Sequence, residues 1–279
     1  MRPAFVIALI SAGLALDVSV GAEPPPPPGV QLRATARLAD PAPVPFASTV
    51  LGRATHRVRL ALGNLSAEEV RFVLPPLRWS ATRGAVGYPC EDATSTPRGT
   101  IKIAPRSSTT LDANVTCDLP LPGDYDVTVA LGRAVRASFV VTITSGPNAP
   151  VRLGWDPRAW VAVTGTREVR PGRAEARVVL ATINGSNAPI AIEPFLARVR
   201  LLAPGSRAAV CPDQIVPIEI RGEVLPGRAH QGWTTIECRA PTEGTYAVDV
   251  GVLRAGGEVQ SVSRYALRVR SGPLLPLPQ

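Results

Sequence analysis

The sequence predicts an all-β chain of two tandem antiparallel β-sandwiches, each with one internal disulfide. Three observations predict it. First, the 279 residues contain an internal repeat: Cys90 and Cys117 are 27 apart, Cys211 and Cys238 are 27 apart, and the pairs are offset by 121. Second, apolar and polar residues alternate with a period of two in both copies, which places one face of each strand on a core and the other in water. Third, 30 prolines and 24 glycines punctuate the chain without any collagen-like period. No segment of useful length carries the 3.6-residue apolar period of a helix.

The elements follow in chain order. Met1-Arg2, the 13 apolar residues Ala4–Leu16 and the small residues Val20-Gly21-Ala22 read as a signal peptide over residues 1–22. Export to a periplasmic or extracellular place is the expectation. Residues 23–29 hold five consecutive prolines, Pro24–Pro28, a stiff polyproline spacer. The first sandwich is expected over 30–146, a linker over 147–151, the second sandwich over 152–272 and a tail over 273–279. Residues 31–38 and Trp160–Thr164 read as first strands. Val58, Leu60 and Leu62 alternate up to Asn64, and Val178, Leu180 and Thr182 alternate up to Asn184. About seven strands per copy are expected.

Each second cysteine is followed eight residues later by a tyrosine that opens an alternating strand: Tyr125-Asp126-Val127-Thr128-Val129 and Tyr246-Ala247-Val248-Asp249-Val250. Both copies close on an alternating strand before Ser-Gly-Pro, at Ser145-Gly146-Pro147 and Ser271-Gly272-Pro273. The second copy is longer by about five residues, placed near Arg254–Gly257, where a hairpin tolerates insertion.

The glycine, tyrosine and alternating valines of these strands resemble bacterial immunoglobulin-like and fibronectin type III-like domains. The resemblance implies that Tyr125 and Tyr246 are tyrosine-corner residues whose hydroxyls tie the corner to nearby backbone. The order Val58-x-Leu60-x-Leu62-x-Asn64-x-Ser66, a later proline and Pro122-Gly123-x-Tyr125 also resembles the Bacillus intracellular proteinase inhibitor family. The chain departs from the antibody pattern in its short cysteine spacing and in lacking a central tryptophan between the cysteines of each copy. Trp233 lies near Cys238, and Asp112 takes its place in the first copy.

Four cysteines in an exported chain allow three pairings. A duplicated domain keeps its own bridge, so the equal spacing selects Cys90–Cys117 and Cys211–Cys238. Zinc and redox sites fail for want of Cys-x-x-Cys spacing, and no cofactor is expected.

Chemistry-bearing residues are sparse. Only His56 and His230 are present, at non-equivalent positions, and both are expected on the surface. No nucleophile elbow accompanies them. Glu68-Glu69 and Glu91-Asp92 do not recur in the second copy. Asn64-Leu65-Ser66, Asn114-Val115-Thr116 and Asn184-Gly185-Ser186 match the glycosylation pattern, but Asn64 and Asn184 read as turn formers closing a strand. The net charge of +8 rests on arginine, because Lys102 is the only lysine among 30 basic residues. Charges of both signs are interspersed, which excludes a nucleic-acid stripe.

The expectation is therefore an exported, non-enzymatic binding or structural module of a bacterial cell envelope, with an unknown protein or envelope component as partner and no membrane span after processing. Alternatives are a protease inhibitor and a periplasmic pilus-type chaperone. The latter resemblance implies that Arg33 or Arg37 and Lys102 would grip a terminal carboxylate. Trp155, Trp160 and Trp233 are the candidate binding residues, with core packing or a seal over the junction as the other role for Trp155 and Trp160. The loops Trp79–Gly99, Leu225–Trp233 and Arg254–Glu258 are the candidate contact loops.

Overall fold

A computed structural model describes residues 32–93, 99–133, 135–146, 148–240, 242–253 and 259–271. The expected signal peptide, spacer and tail lie outside them, as does the Arg254–Glu258 hairpin. The chain is all-β: about two thirds of the described residues are strand, one short 3-10 turn spans Phe46–Ser48, and two disulfides are formed. No helix among the described residues is long and apolar enough to cross a membrane.

The first half holds β1 (Leu32–Leu38), β2 (Val44–Pro45), β3 (Arg53–Asn64), β4 (Val70–Val73), β5 (Leu77–Arg83), β6 (Val86–Asp92), β7 (Thr100–Ile103), β8 (Ser108–Asp118), β9 (Gly123–Leu131) and β10 (Val135–Thr144). The second half holds β11 (Val151–Leu153), β12 (Asp156–Gly165), β13 (Glu168–Val169), β14 (Gly172–Asn184), β15 (Ile190–Ala191), β16 (Phe195–Leu202), β17 (Gln214–Ile218), β18 (Glu223–Val224), β19 (Ala229–Ala240), β20 (Gly244–Leu253) and β21 (Val259–Val269). Each half thus has more strands than the seven expected. The extra ones are short, such as β2 and β13, which run parallel to β10 and β21 through two residues each. Two-residue strands carry no alternation that a sequence pattern could reveal.

The period-two pattern acts as expected where strands are long. In β3, Val58, Leu60 and Leu62 are buried while Arg53, Arg57 and Arg59 face water. No sheet is shared between the halves. The first half is one continuous eight-stranded sheet in the order β1-β3-β8-β6-β5-β9-β10-β2, with β4-β7 beside it. The second half has two separate sheets, β11-β12-β14-β19 and β13-β21-β20-β16-β17, with β15-β18 beside them.

The difference lies in one strand. In the first half β6 leaves β5 after Pro89 and crosses to β8, where Cys90 stands opposite Cys117. The disulfide Cys90–Cys117 therefore joins directly paired residues, with Cα atoms 4.1 Å apart. In the second half the chain after Cys211 stays with β16, pairing Gln214 with Val199 through Ile218 with Phe195. Only the Cys211–Cys238 bridge reaches over to β19, with Cα atoms 5.9 Å apart.

Local anchors recur in both halves. Tyr125 Oη donates to the carbonyl of Leu121 at 2.6 Å, and Tyr246 Oη donates to that of Thr242 at 3.0 Å. Asn64 is buried at the end of β3. Its Nδ2 donates to the carbonyls of Glu68, Ile103 and Ala104, and its Oδ1 accepts from Ser66. Asn184 repeats the arrangement with Ala188, Val224 and Ser186. These asparagines close their strands, as the sequence indicates, and also satisfy carbonyls that would otherwise be buried without a donor.

Candidate functional site

The outer face of the sheet β11-β12-β14-β19 supplies the site. Along β14 the residues Arg177, Val179, Ala181 and Ile183 share this face. Their neighbours are Thr164, Ala162 and Trp160 on β12, with Thr166 just past its end bonded to Arg177, and Thr235, Trp233, Gln231 and Ala229 on β19. One end of the face is covered. Ala162, Ala181 and Ile183 are fully buried and join the hydrophobic core of the first half. Trp160 packs there too; a side chain at Gly185 would meet its Nε1 at 2.6 Å and Leu121 at 3.2 Å.

The other end of the face is open. A cleft of about 430 Å³ lies between Thr164, Thr166, Arg177, Val179, Arg228 and Trp233 on one wall and Leu51, Arg53, Asp118 and Pro120 of the first half on the other. Trp233 is 62% exposed, and the Arg177 guanidinium sits 4.9 Å from its ring centre. Stacking of this kind fixes the ring while leaving its rim available. Across the cleft Arg53 bonds both Glu91 and Asp118. These bonds, that to Glu91 first, raise the Arg53 pKa above its ordinary value. Arg53 balances only one of these two carboxylates, and Arg177 and Arg228 together outweigh the other, which leaves the cleft net positive. A second, shallower hollow of about 580 Å³ lies beside Arg207, Arg264 and Tyr265. Its Arg264 is already paired with Asp249.

The three tryptophans have separate fates. Trp155 packs on the second core, edge-on to Phe195 at 6.0 Å. Trp160 seals the junction between the halves, with the Arg152 guanidinium 4.8 Å from its ring centre. Trp233 alone of the three is exposed to the cleft. Its solvent-facing parity was legible, because Asp112 stands at the equivalent position in the first half. Arg177 and Arg228 were missed, since nothing distinguishes them from the other arginines until the strands are paired.

Several expectations are corrected. His56 is buried, with Nε2 lacking a partner among the described residues, because it stands on the inward parity of β3. Burial lowers its pKa below the ordinary 6.5. Trp79 opens no loop: it is a buried residue of β5, edge-on to Phe139. The candidate loops Trp79–Gly99 and Leu225–Trp233 meet one another, since a side chain at Gly227 would strike the carbonyl of Gly87 at 2.6 Å. Arg33, Arg37 and Lys102 lie on β1 and β7, and none of them lines the cleft. The acidic pairs Glu68-Glu69 and Glu91-Asp92 do not come together; among the described residues no group of three or more potential metal ligands forms.

No protein-family profile matches the sequence, and no curated protein sequence matches it. Among solved structures, the chain is similar to the transglutaminase of red sea bream at 12% identity, covering 88% of this chain and 32% of that one, with a TM-score of 0.23. It is also similar to the secreted serine protease VesC of Vibrio cholerae at 13% identity, covering 85% and 51%, with a TM-score of 0.26. The chain thus spans about a third to a half of the chains it matches. Both belong to enzymes, so the expectation of a non-enzymatic chain does not stand. A likeness at this level assigns this chain neither an activity nor the lack of one.

Proposed function

We propose that this chain is a binding module exported to a bacterial cell envelope, built from two immunoglobulin-like sandwiches, over 30–146 and 152–272, that hold a protein partner in the cleft between them. Two cores, and sheets that each stay within one half among the described residues, support the two-sandwich reading, as do the tyrosine hydroxyls bonded four residues back. We read those tyrosines as tyrosine corners. Two disulfides support an oxidising compartment.

The observation that carries the binding site is the exposed Trp233 under Arg177, beside a junction that is otherwise sealed with apolar side chains. Aromatic and arginine side chains dominate the energetic centres of protein interfaces. The positive cleft selects a partner with acidic groups. The test is site-specific cross-linking in the native envelope. A photoreactive p-benzoylphenylalanine at position 233 is expected to give a discrete adduct with one polypeptide. The same probe at Val140, half exposed on β10, is expected to give none. Absence of an adduct at 233 overturns the reading.

A further inference from the structure

The two halves treat one strand edge differently. In the first half, the edge of β8 away from β3 is occupied: Glu91 pairs with Thr116, Asp92 pairs with Val115, and the Ala93 N–H donates to the Asn114 carbonyl. In the second half β19 stands at the same place, and among the described residues its sheet ends there. The counterpart of Asn114 is Thr235 by the 121-residue offset. The segment that would have seated on it has turned back to β16.

The hydrogen-bond phase of β19 follows from one bond. Asn184 N–H donates to the Arg228 carbonyl at 2.9 Å. In an antiparallel ladder hydrogen-bonded pairs alternate with non-bonded ones. With Thr182 opposite His230, Leu180 opposite Gly232 and Val178 opposite Thr234, those even-numbered residues of β19 bond to β14. Gln231, Trp233 and Thr235 therefore aim their backbone N–H and C=O groups outward. Their side chains are exposed. On the inner side stand His230, Gly232 and Thr234, all only partly buried, over the seam that faces β17. A long unpaired edge is a template for another strand, and native proteins usually blunt it with proline, bulges or a cover. No proline occurs within β19.

The geometry points to β19 as the seat of an extended segment of the partner polypeptide, which adds a strand beside Gln231–Thr235 and reaches, at Thr235, the place where the chain just past β6 bonds Asn114 in the first half. This rests on the proposed reading of the cleft and names how the partner binds. The bound segment alternates: an acidic side chain toward Arg177 and Arg228, and a small or apolar one over Gly232. Backbone bonds supply affinity, and the alternate side chains supply choice.

The test uses the full chain. A displayed library of random peptides, each about as long as β19, is panned on it. Enriched peptides are expected to carry Asp or Glu at alternate positions and no proline among them. Their binding is expected to slow amide hydrogen exchange at Gln231, Trp233 and Thr235 and leave Gly232 and Thr234 unchanged, since these already bond to β14. Methylating alternate backbone nitrogens of a selected peptide should weaken it at least tenfold in one register and leave it within twofold in the other. Thr235→Pro removes an outward donor only, and should abolish binding with the β-sheet spectrum retained. Failure to enrich any peptide, or equal loss in both methylation registers, overturns the strand. A cross-link at 233 without exchange protection leaves the cleft reading standing and the strand refuted. Dimerisation of the chain that Thr235→Pro abolishes assigns the edge to a second copy, and also refutes it.

Discussion

Arg57 with Asp112 and Arg177 with Trp233 are the same place in the two halves. In the first, Arg57 Nη2 meets Asp112 Oδ2 at 2.9 Å, and that hydrogen bond, opposed by desolvation and assisted by the Arg57 and Arg59 charges, holds the carboxyl below its usual range. In the second, the acid is replaced by a tryptophan and the guanidinium stacks on its ring. One pair is a closed surface ion pair; the other leaves an aromatic rim facing a cleft. At Asn114 and its counterpart Thr235 the strand edge follows the same division: Ala93, just past β6, bonds it in the first half, and no described residue pairs with it in the second. A duplicated fold can thus assign closure to one copy and contact to the other, with the cores left alike.

The largest test of this comparison concerns the bridges. Replacing Cys211 and Cys238 together by Ala should cost about 3–4 kcal/mol, the chain-entropy value for a loop of this size. The same change at Cys90 and Cys117 opens an unfolded-state loop of the same length and should cost as much. Denaturant unfolding of both variants checks it, and clearly unequal losses would show that the β6–β8 ladder, present in one half alone, alters the native state's share. Next is the junction. Ile183→Ala should cost roughly 2–4 kcal/mol and separate one thermal transition into two, since Ile183 is a second-half residue buried in the first-half core. Calorimetry reads this directly. Because second-half residues are buried in the first-half core, losses in the two halves should be non-additive.

A smaller gain is expected at Thr182, whose Oγ1 is buried without a partner among the described residues where the first half has Leu62. Thr182→Val should stabilise by about 1 kcal/mol, measured as a raised unfolding midpoint. His56 stands where the second half has Ala176. Its folded pKa is lowered by burial, so the unfolded chain takes up the proton first and stability rises with pH across that window. Stability should be full above about 6.5, fall as pH drops toward the folded value, and level off beneath it. His56→Ala should flatten that slope between about pH 7.5 and 5.5, as read from melting temperature against pH. The smallest stability effect belongs to Trp233→Asp, which copies the first half. It should change stability by no more than about 0.5 kcal/mol while abolishing the partner adduct of the same photoreactive residue placed at Gln231, which lines the same cleft.

Much of the fold was legible because it repeats. The cysteine offset, the alternation in β3 and β14, and the asparagines that close them are one-dimensional signals. The path of β6 was not, because Val86–Asp92 and Arg207–Asp213 look equivalent until the strand they pair with is known. Burial of His56 was readable from its parity with Val58 and Leu60, yet histidine chemistry drew attention to the surface instead. The cleft arginines required the junction, which depends on small residues, Ala162 and Ala181, whose patterning carries no hydrophobic emphasis.

The buried asparagines bear on the order of events during synthesis. The atom that an oligosaccharyltransferase modifies is Nδ2, and in Asn64 and Asn184 that atom is donated to carbonyls inside the fold. Asn114 lies on the exposed side of β8. In a host that glycosylates secreted chains, a glycan at Asn64 or Asn184 can be attached only before its half has folded, so site occupancy becomes a clock. The ratio of sugar at Asn64 to sugar at Asn184 reports which half closes first after the ribosome releases it.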